Sequence, residues 1–316
     1  MFSRKRIAGK SLVFFFILPL LVVCSSLAGY SSSGAGGGCD NVAAIFDLGM
    51  GARPMGMGGA FASLADDENA VFYNPAALAY LDRVGVTSLW SPQFGLIDYG
   101  GLGLAGKYFG LNMTILSSSL IQIPNEFSAP TGDNFTYLSS GGVVGFGLPL
   151  IDNLSFGARL KYYYSHLSID SAGDGFGWSV EPALLAKGAG FRFGLIFENA
   201  LSSDLRYGNS YKEEFNRAIR LGVSYRTMVT TNVSVVMLSD LESEFDDLIN
   251  ADLSFLKPYV GIEVWADSLG VRAGYNQSGV TIGSSIDLDF VRLDWAYIAY
   301  HTGIDGSHKV SLTYRF

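Results

Sequence analysis

Few side chains in this sequence are spaced for chemistry. Gly101, Gly103 and Gly106 satisfy the G-x-G-x-x-G spacing of a dinucleotide-binding loop. That spacing cradles a pyrophosphate only where it opens a helix, and Lys107-Tyr108-Phe109-Gly110-Leu111 continues instead as strand. His166, His301 and His308 are scattered and lack metal-ligand spacing, which leaves them as surface or interfacial histidines. No nucleophile elbow, zinc motif or phosphate loop is present, so no enzymatic activity, no cofactor and no metal is expected. The acidic run from Asp240 to Asp247 could hold calcium or another divalent ion, but reads more simply as a solvated loop. Arg159, Lys161, Arg220, Arg226, Arg292 and Asp294 share the polar side of alternating stretches. There they would line a polar lumen or pair with carboxylates of the N-terminal third.

The elements that position these residues follow from composition and period. The chain has 316 residues, a net charge of -8, 39 Gly, 49% hydrophobic and 14% aromatic residues. Its mean hydropathy of +0.27 is high for a soluble protein. Beyond the N-terminus, however, it has no apolar run of about 18 residues that could cross a bilayer as a helix. In hydrocarbon every backbone N–H and C=O must be paired internally, so only helices and closed barrels span. Excluding the first leaves the second.

The N-terminus reads as an export signal. Arg4, Lys5, Arg6 and Lys10 form a basic region, Leu12 to Cys24 an apolar core, and Ser26-Leu27-Ala28 a small-x-small cleavage site. An uncleaved anchor is the alternative, but the apolar run is short and the polar, Gly-rich stretch 30–38 follows it. Cys24 and Cys39 both lack the apolar-then-small context of a lipoprotein. Removing residues 1–28 leaves 17 basic against 29 acidic side chains, a net of -12, which makes nucleic acid an improbable partner. Cys39 is then the sole cysteine, so no intrachain disulfide can form.

From Val84 onward apolar and polar residues alternate. Leu154, Phe156, Ala158, Leu160, Tyr162 and Tyr164 interleave with Ser155, Gly157, Arg159, Lys161, Tyr163 and Ser165, a period of two. The pattern recurs around 219–226, 280–288 and 291–297. A soluble sandwich would alternate too, but seldom carries so many Tyr and Trp near strand ends, where interfacial aromatic girdles explain them. The candidate strands are 84–92, 99–106, 108–117, 139–148, 153–167, 174–187, 189–200, 216–227, 231–240, 258–267, 268–276, 278–287, 290–301 and 308–316. Fourteen is the even count that bacterial single-chain barrels require. Polar stretches near 124–136, 201–215 and 241–252 are candidate extracellular loops. At the end of the sequence His308, Val310, Leu312, Tyr314 and Phe316 share one face, opposite Lys309, Ser311, Thr313 and Arg315. This resembles the terminal strand of outer-membrane barrels, with Leu312, Tyr314 and Phe316 as the signal to the barrel assembly machinery. It should pair with the strand near Val84.

The most informative block is Gly51 to Leu78, with Gly56-Met57-Gly58-Gly59-Ala60, Ala65-Asp66-Asp67 and Asn74-Pro75-Ala76. It resembles the N-terminal block of the FadL-like outer-membrane superfamily, and more closely its PorV/PorQ branch; Ala77 departs from the usual Gly. The resemblance implies an all-β, fourteen-stranded transmembrane antiparallel barrel with an N-terminal plug, or hatch, in the lumen. The expected organisation is a signal peptide (1–28), a Gly/Ser-rich flexible segment (29–41), the plug (42–83) and the barrel (84–316). It also implies one of two roles: passive uptake of hydrophobic small molecules such as fatty acids, or a PorV-like part in type IX secretion that binds cargo proteins. The implied partners are outer-membrane lipids, the assembly machinery, a hydrophobic ligand and, in the second role, secretion-system proteins. Plug, gate and ligand contact would fall on Met55, Gly56, Met57, Gly58, Gly59, Phe61, Phe72, Asn74, Pro75 and Ala76. Glycines suit the tight turns of such a segment, and Asn74 and Pro75 can open a helical turn over residues 76–79. Met50, Met55 and Met57 suit a greasy, adaptable pocket, or merely fill space against the wall.

Overall fold

The computed structural model describes residues 44–93, 97–122, 134–167, 173–207, 212–213, 215–244, 256–301 and 305–316. The expected signal peptide and the Gly/Ser-rich segment lie outside the described residues. Three single-turn helices, α1 (Ala44–Asp47), α2 (Ala52–Met55) and α3 (Ala70–Tyr73), and a 3-10 turn (Pro75–Tyr80) precede the sheet. The strands are β1 (Gly85–Gln93), β2 (Ile97–Gly106), β3 (Phe109–Gln122), β4 (Asn134–Ile151), β5 (Leu154–Leu167), β6 (Gly173–Gly188) and β7 (Phe191–Glu198). Three short ones follow, β8 (Leu201–Ser202), β9 (Leu205–Tyr207) and β10 (Lys212–Glu213). The remaining strands are β11 (Ala218–Met228), β12 (Val233–Glu244), β13 (Lys257–Ala266), β14 (Leu269–Asn276), β15 (Gly279–Asp287), β16 (Val291–Tyr300) and β17 (Ser307–Arg315).

The fourteen long strands pair antiparallel in chain order and close on themselves. β17 lies against β1 from Gly85↔Arg315 to Trp90↔Val310, the pairing expected for the strand near Val84. Closure leaves no edge, so every wall strand has backbone partners on both sides. Each expected stretch overlaps one long strand. β3 and β4 run farther than 108–117 and 139–148, because a barrel wall can continue with polar residues beyond the hydrocarbon.

Burial is inverted relative to a soluble protein. In β15 the buried positions are Gly279, Thr281, Gly283 and Ser285, while Val280 and Ile282 are exposed. Leu102 is 63% exposed and Thr87, Thr114 and Ser155 are fully buried. This apolar outer face and polar inner face is what a tilted strand needs between lipid and a filled lumen. Short turns such as 107–108, 152–153 and 189–190 mark one rim, and the longer connections mark the other. By the rule for such barrels, the short-turn rim faces the periplasm.

Two expectations require correction. The acidic run does not begin as a solvated loop: Asp240 and Glu242 sit in β12, pointing inward and buried, because the acids fall on every second residue and face Arg220 and Lys257. The stretch 201–215 is not wholly loop either. β6 pairs with β7 only from Ala183 to Gly188, and above that with β8 and β9. Pro182 has no N–H to offer the ladder, and the wall changes partner beside it.

Candidate functional site in the barrel lumen

Residues 45–81 pack against the inward faces of the wall strands, in one cluster with wall residues such as Leu89, Tyr99, Val143 and Leu185. Met50, Ala52, Met57, Phe61, Ala62, Ala70, Val71 and Leu78 are fully buried. At Gly58 the backbone adopts φ +67, and a Cβ there would lie 2.6 Å from the Tyr275 carbonyl oxygen. Only glycine fits both constraints. On the periplasmic side Gly147 and Gly157 remove Cβ atoms from the wall where the Pro75–Ala76 backbone presses against it. Asn74 starts the 3-10 turn by accepting from the Ala76 N–H (3.0 Å), and donates its amide to the Ala62 carbonyl (2.7 Å).

Wall hydroxyls and carboxylates take up the segment's backbone groups. Thr281 accepts from Gly58 N–H (2.9 Å) and donates to Gly56 O (3.1 Å). Ser311 accepts from Ala52 N–H, and Ser155 donates to Ala76 O, both at 2.8 Å. One oxygen of Asp240 accepts the N–H groups of Phe61 (2.9 Å) and Ala62 (3.0 Å) while paired with Arg220 (3.0 Å). Arg159 likewise donates to the Phe72 carbonyl. Satisfying these groups inside a lumen replaces the hydration they would otherwise need.

A chain of charges fixes the periplasmic half. Arg53 of α2 makes a bidentate pair with Glu263 of β13 (2.8 and 2.7 Å) and also reaches Asp66 (2.7 Å) and Asp67 (3.0 Å). Arg292 joins Asp67 (2.9 Å), Asp294 (2.8 Å) and Glu68 (3.4 Å). Arg272 links Glu263 to Asp294, Arg315 joins Glu68 to Asp287, and Arg226 closes on Asp66. The arginines singled out from sequence therefore divide. Arg226 and Arg292 pair with carboxylates of the N-terminal segment. Arg159 and Lys161 pair with Glu181, and Arg220 with Asp240, all three on the wall. Burial alone would push the Asp66 carboxyl up, but Arg53, then Arg226 and Arg192, hold it well below the usual carboxylate range.

The segment separates two cavities. The outer one, about 250 Å³, is lined by Phe46, Met55, Gly59, Phe72, Tyr73 and Tyr259 together with Arg159, Lys161, Glu198, Arg220, Glu242 and Lys257. It reaches the β14–β15 turn at Asn276 to Ser278, on the long-loop rim. The inner one, about 520 Å³, is lined mainly by charged residues, among them Arg53, Asp66, Arg192 and Arg315. Of the ten expected contact residues, Met55, Gly59 and Phe72 line the outer cavity. Met57, Phe61, Asn74, Pro75 and Ala76 are buried against wall or segment, and Gly56 and Gly58 are held by Thr281. The expected greasy pocket is thus mixed in character, because wall charges reach into it. Met50 and Met57 fill space beside Gly101, Gly261 and Gly274. Leu312, Tyr314 and Phe316 lie exposed on the lipid side. Glu181, Glu198, Glu263 and Arg272 were not singled out from sequence, although each occupies a strand position whose charge inside an apolar–small alternation is the signal for a lumenal residue. Among the described residues no group of three His, Cys, Asp or Glu side chains could hold a metal ion.

No protein-family model matches the sequence, and no curated protein matches it. Solved structures do. The Pseudomonas putida toluene transporter TodX superposes with a TM-score of 0.58 at 15% identity, covering 84% of this chain and 98% of that one. A TodX mutant described as a monoaromatic hydrocarbon channel gives 0.58 at 14% identity, with the same coverage. A Pseudomonas aeruginosa FadL homologue is a looser likeness, with a TM-score of 0.45 and 10% identity over 82% of this chain and 97% of that one. At such identity the similarity concerns the fold, and it does not bear on the PorV/PorQ branch or on type IX secretion. A closed barrel with an apolar outer face is a fold of the bacterial outer membrane, and this chain belongs there.

Proposed function

We propose that this barrel is a FadL-type outer-membrane channel for passive uptake of small hydrophobic molecules, with the N-terminal segment serving as its plug and gate. The observation that carries this reading is the position of residues 45–81, between an outward cavity and a periplasm-facing one. A molecule entering from the long-loop rim meets Phe46, Phe72 and Tyr259 first, and must displace part of the segment to go on. Beside its buried apolar packing, the segment is held by hydrogen bonds and ion pairs, which can be exchanged for water as it moves. No bond chemistry is involved. Toluene and monoaromatic hydrocarbons are what the neighbours' descriptions give as cargo; fatty acids are the cargo implied by the sequence resemblance. In this reading residues 1–28 direct export, 42–83 form the plug, 84–316 form the barrel among outer-membrane lipids, and Leu312, Tyr314 and Phe316 are read by the assembly machinery.

Deleting residues 50–80 tests it. The truncated barrel should form a conductive pore in planar bilayers where the full protein does not. Equal conductance from the two, with both folded, overturns the gating role.

A further inference from the structure

The outer cavity carries more information than its position. Its cations are already neutralised by the wall. Arg159 and Lys161 share Glu181 (Lys161 at 2.9 Å), Arg220 holds Asp240 at 3.0 Å, and Lys257 lies 3.2 Å from Glu242 and 3.3 Å from Glu244. Glu242 is further satisfied by the Tyr259 hydroxyl at 2.9 Å. Glu198, at the outer end of β7, is different. It lines the cavity half-buried, and its carboxylate has no hydrogen bond or ion pair to any described residue. Glu181 and Glu242 flank it with like charge, Lys161 and Arg220 attract it from beyond ion-pair distance, and among the described residues six carboxylates (Asp47, Glu181, Glu198, Asp240, Glu242, Glu244) face four cations around this rim. A partly desolvated carboxylate without a partner, in a field of excess negative charge, favours a cationic hydrogen-bond donor.

The rest of the lining says what kind of cation. Phe46, Phe72, Tyr259 and Met55 supply aromatic and apolar surface on the same cavity. Lys161 already lies over the Phe46 ring at 5.0 Å and the Arg220 guanidinium over the Tyr259 ring at 4.1 Å, which leaves Phe72 and Met55 as the apolar surface that takes the body of an organic ammonium from water. A bare divalent ion would need several more oxygen ligands, and among the described residues no cluster of three such side chains exists. About 250 Å³ accommodates a molecule of roughly the size of a phenyl ring with a short amine chain.

We propose that the outer cavity is a binding site for small amines with an aromatic or apolar body, the ammonium group being received by Glu198. This rests on the uptake reading for its purpose and refines it, by giving one class of cargo a polar end.

The test uses the full-length barrel in nanodiscs and three probes of one shape: phenethylamine, phenylpropionate and ethylbenzene. Titration should show phenethylamine binding about tenfold tighter than either of the others, the factor one charge-assisted hydrogen bond supplies. Glu198→Gln should abolish that preference, and Glu198→Asp should keep most of it, with folding of each variant checked by its heat-modifiable migration on gels. No amine preference in the wild type overturns the proposal, and needs no variant to do so. So does a preference that survives Glu198→Gln, or calcium binding at Glu198 that the amine cannot match. Entry of ethylbenzene into liposomes is measured separately. Its absence would remove the channel reading while leaving an amine site standing, and the converse result would do the opposite.

Discussion

Arg53 is the residue through which the seating of the N-terminal segment can be measured. The residue is 4% exposed, and its guanidinium binds Glu263 of the wall in bidentate fashion while holding Asp66 and Asp67 of its own segment. Arg53→Met keeps the bulk and removes the charge, leaving Glu263 with Arg272 at 3.4 Å as its remaining ion-pair partner. Removing one partner of a buried pair costs about 3–5 kcal/mol, because the other charge stays buried without compensation. Arg226 and Arg292 still hold Asp66 and Asp67, so the low end applies, about 3 kcal/mol. Every 1.4 kcal/mol is about a factor of ten in a population, so the unseated fraction should rise roughly a hundredfold. Single-channel recording in planar bilayers reads that fraction as the frequency of openings. Adding Glu263→Gln should recover part of the loss, since the buried carboxylate left with Arg272 alone is then gone, and the double-mutant cycle isolates the coupling. If Arg53→Met leaves opening frequency unchanged in a folded barrel, the ion pairs do not hold the gate and the reasoning fails.

Two further outcomes follow from the same geometry. Asp66 and Asp67 have carboxyls that burial would raise but that neighbouring arginines hold below their ordinary value. Depressed carboxylates contribute their full stabilisation above the unfolded-chain value of about 4, and lose it as pH falls through the lower folded value. Opening frequency should therefore stay flat from neutral pH to about pH 4 and climb only below it; a climb that begins near pH 6 would contradict this assignment. On the lipid side Leu102 is 63% exposed in mid-β2. Leu102→Arg should destabilise the barrel by about 2–4 kcal/mol in urea unfolding from vesicles, and a change within error would mean that this face does not meet hydrocarbon.

The wall was legible in the sequence because period two is a local property. Ile282 beside Gly283 and Leu293 beside Asp294 reveal which side meets lipid without knowledge of any partner. The reading lost accuracy where the local signal changed meaning. Asp240, Glu242 and Glu244 alternate with Leu241 and Ser243 as any strand does, but their charge suggested solvent, and the cross-strand cations Arg220 and Lys257 explain it. The path of residues 45–81 was suggested by resemblance rather than by pattern, since glycines and alanines carry no period. Which arginine meets which carboxylate could not be read at all. Arg53 and Glu263 are 210 residues apart, and nothing local in either records the other.

The way the segment is tied has a mechanical consequence. Its anchors lie on two arcs of the ring: Tyr99 on β2, Ser155 and Arg159 on β5 and Arg192 on β7 form one, and Asp240 on β12, Glu263 on β13, Thr281 on β15, Arg292 on β16 and Ser311 on β17 form the other. It behaves as the hub of a wheel whose spokes are short polar bonds. A hub held from one side could swing away with a single strand, whereas this one resists because the arc β2–β7 holds it against the arc β12–β17. On the proposed uptake reading, loosening any one spoke should shift the hub off centre and open a crescent on that side only, so the direction of passage would be set by which spoke a cargo breaks first.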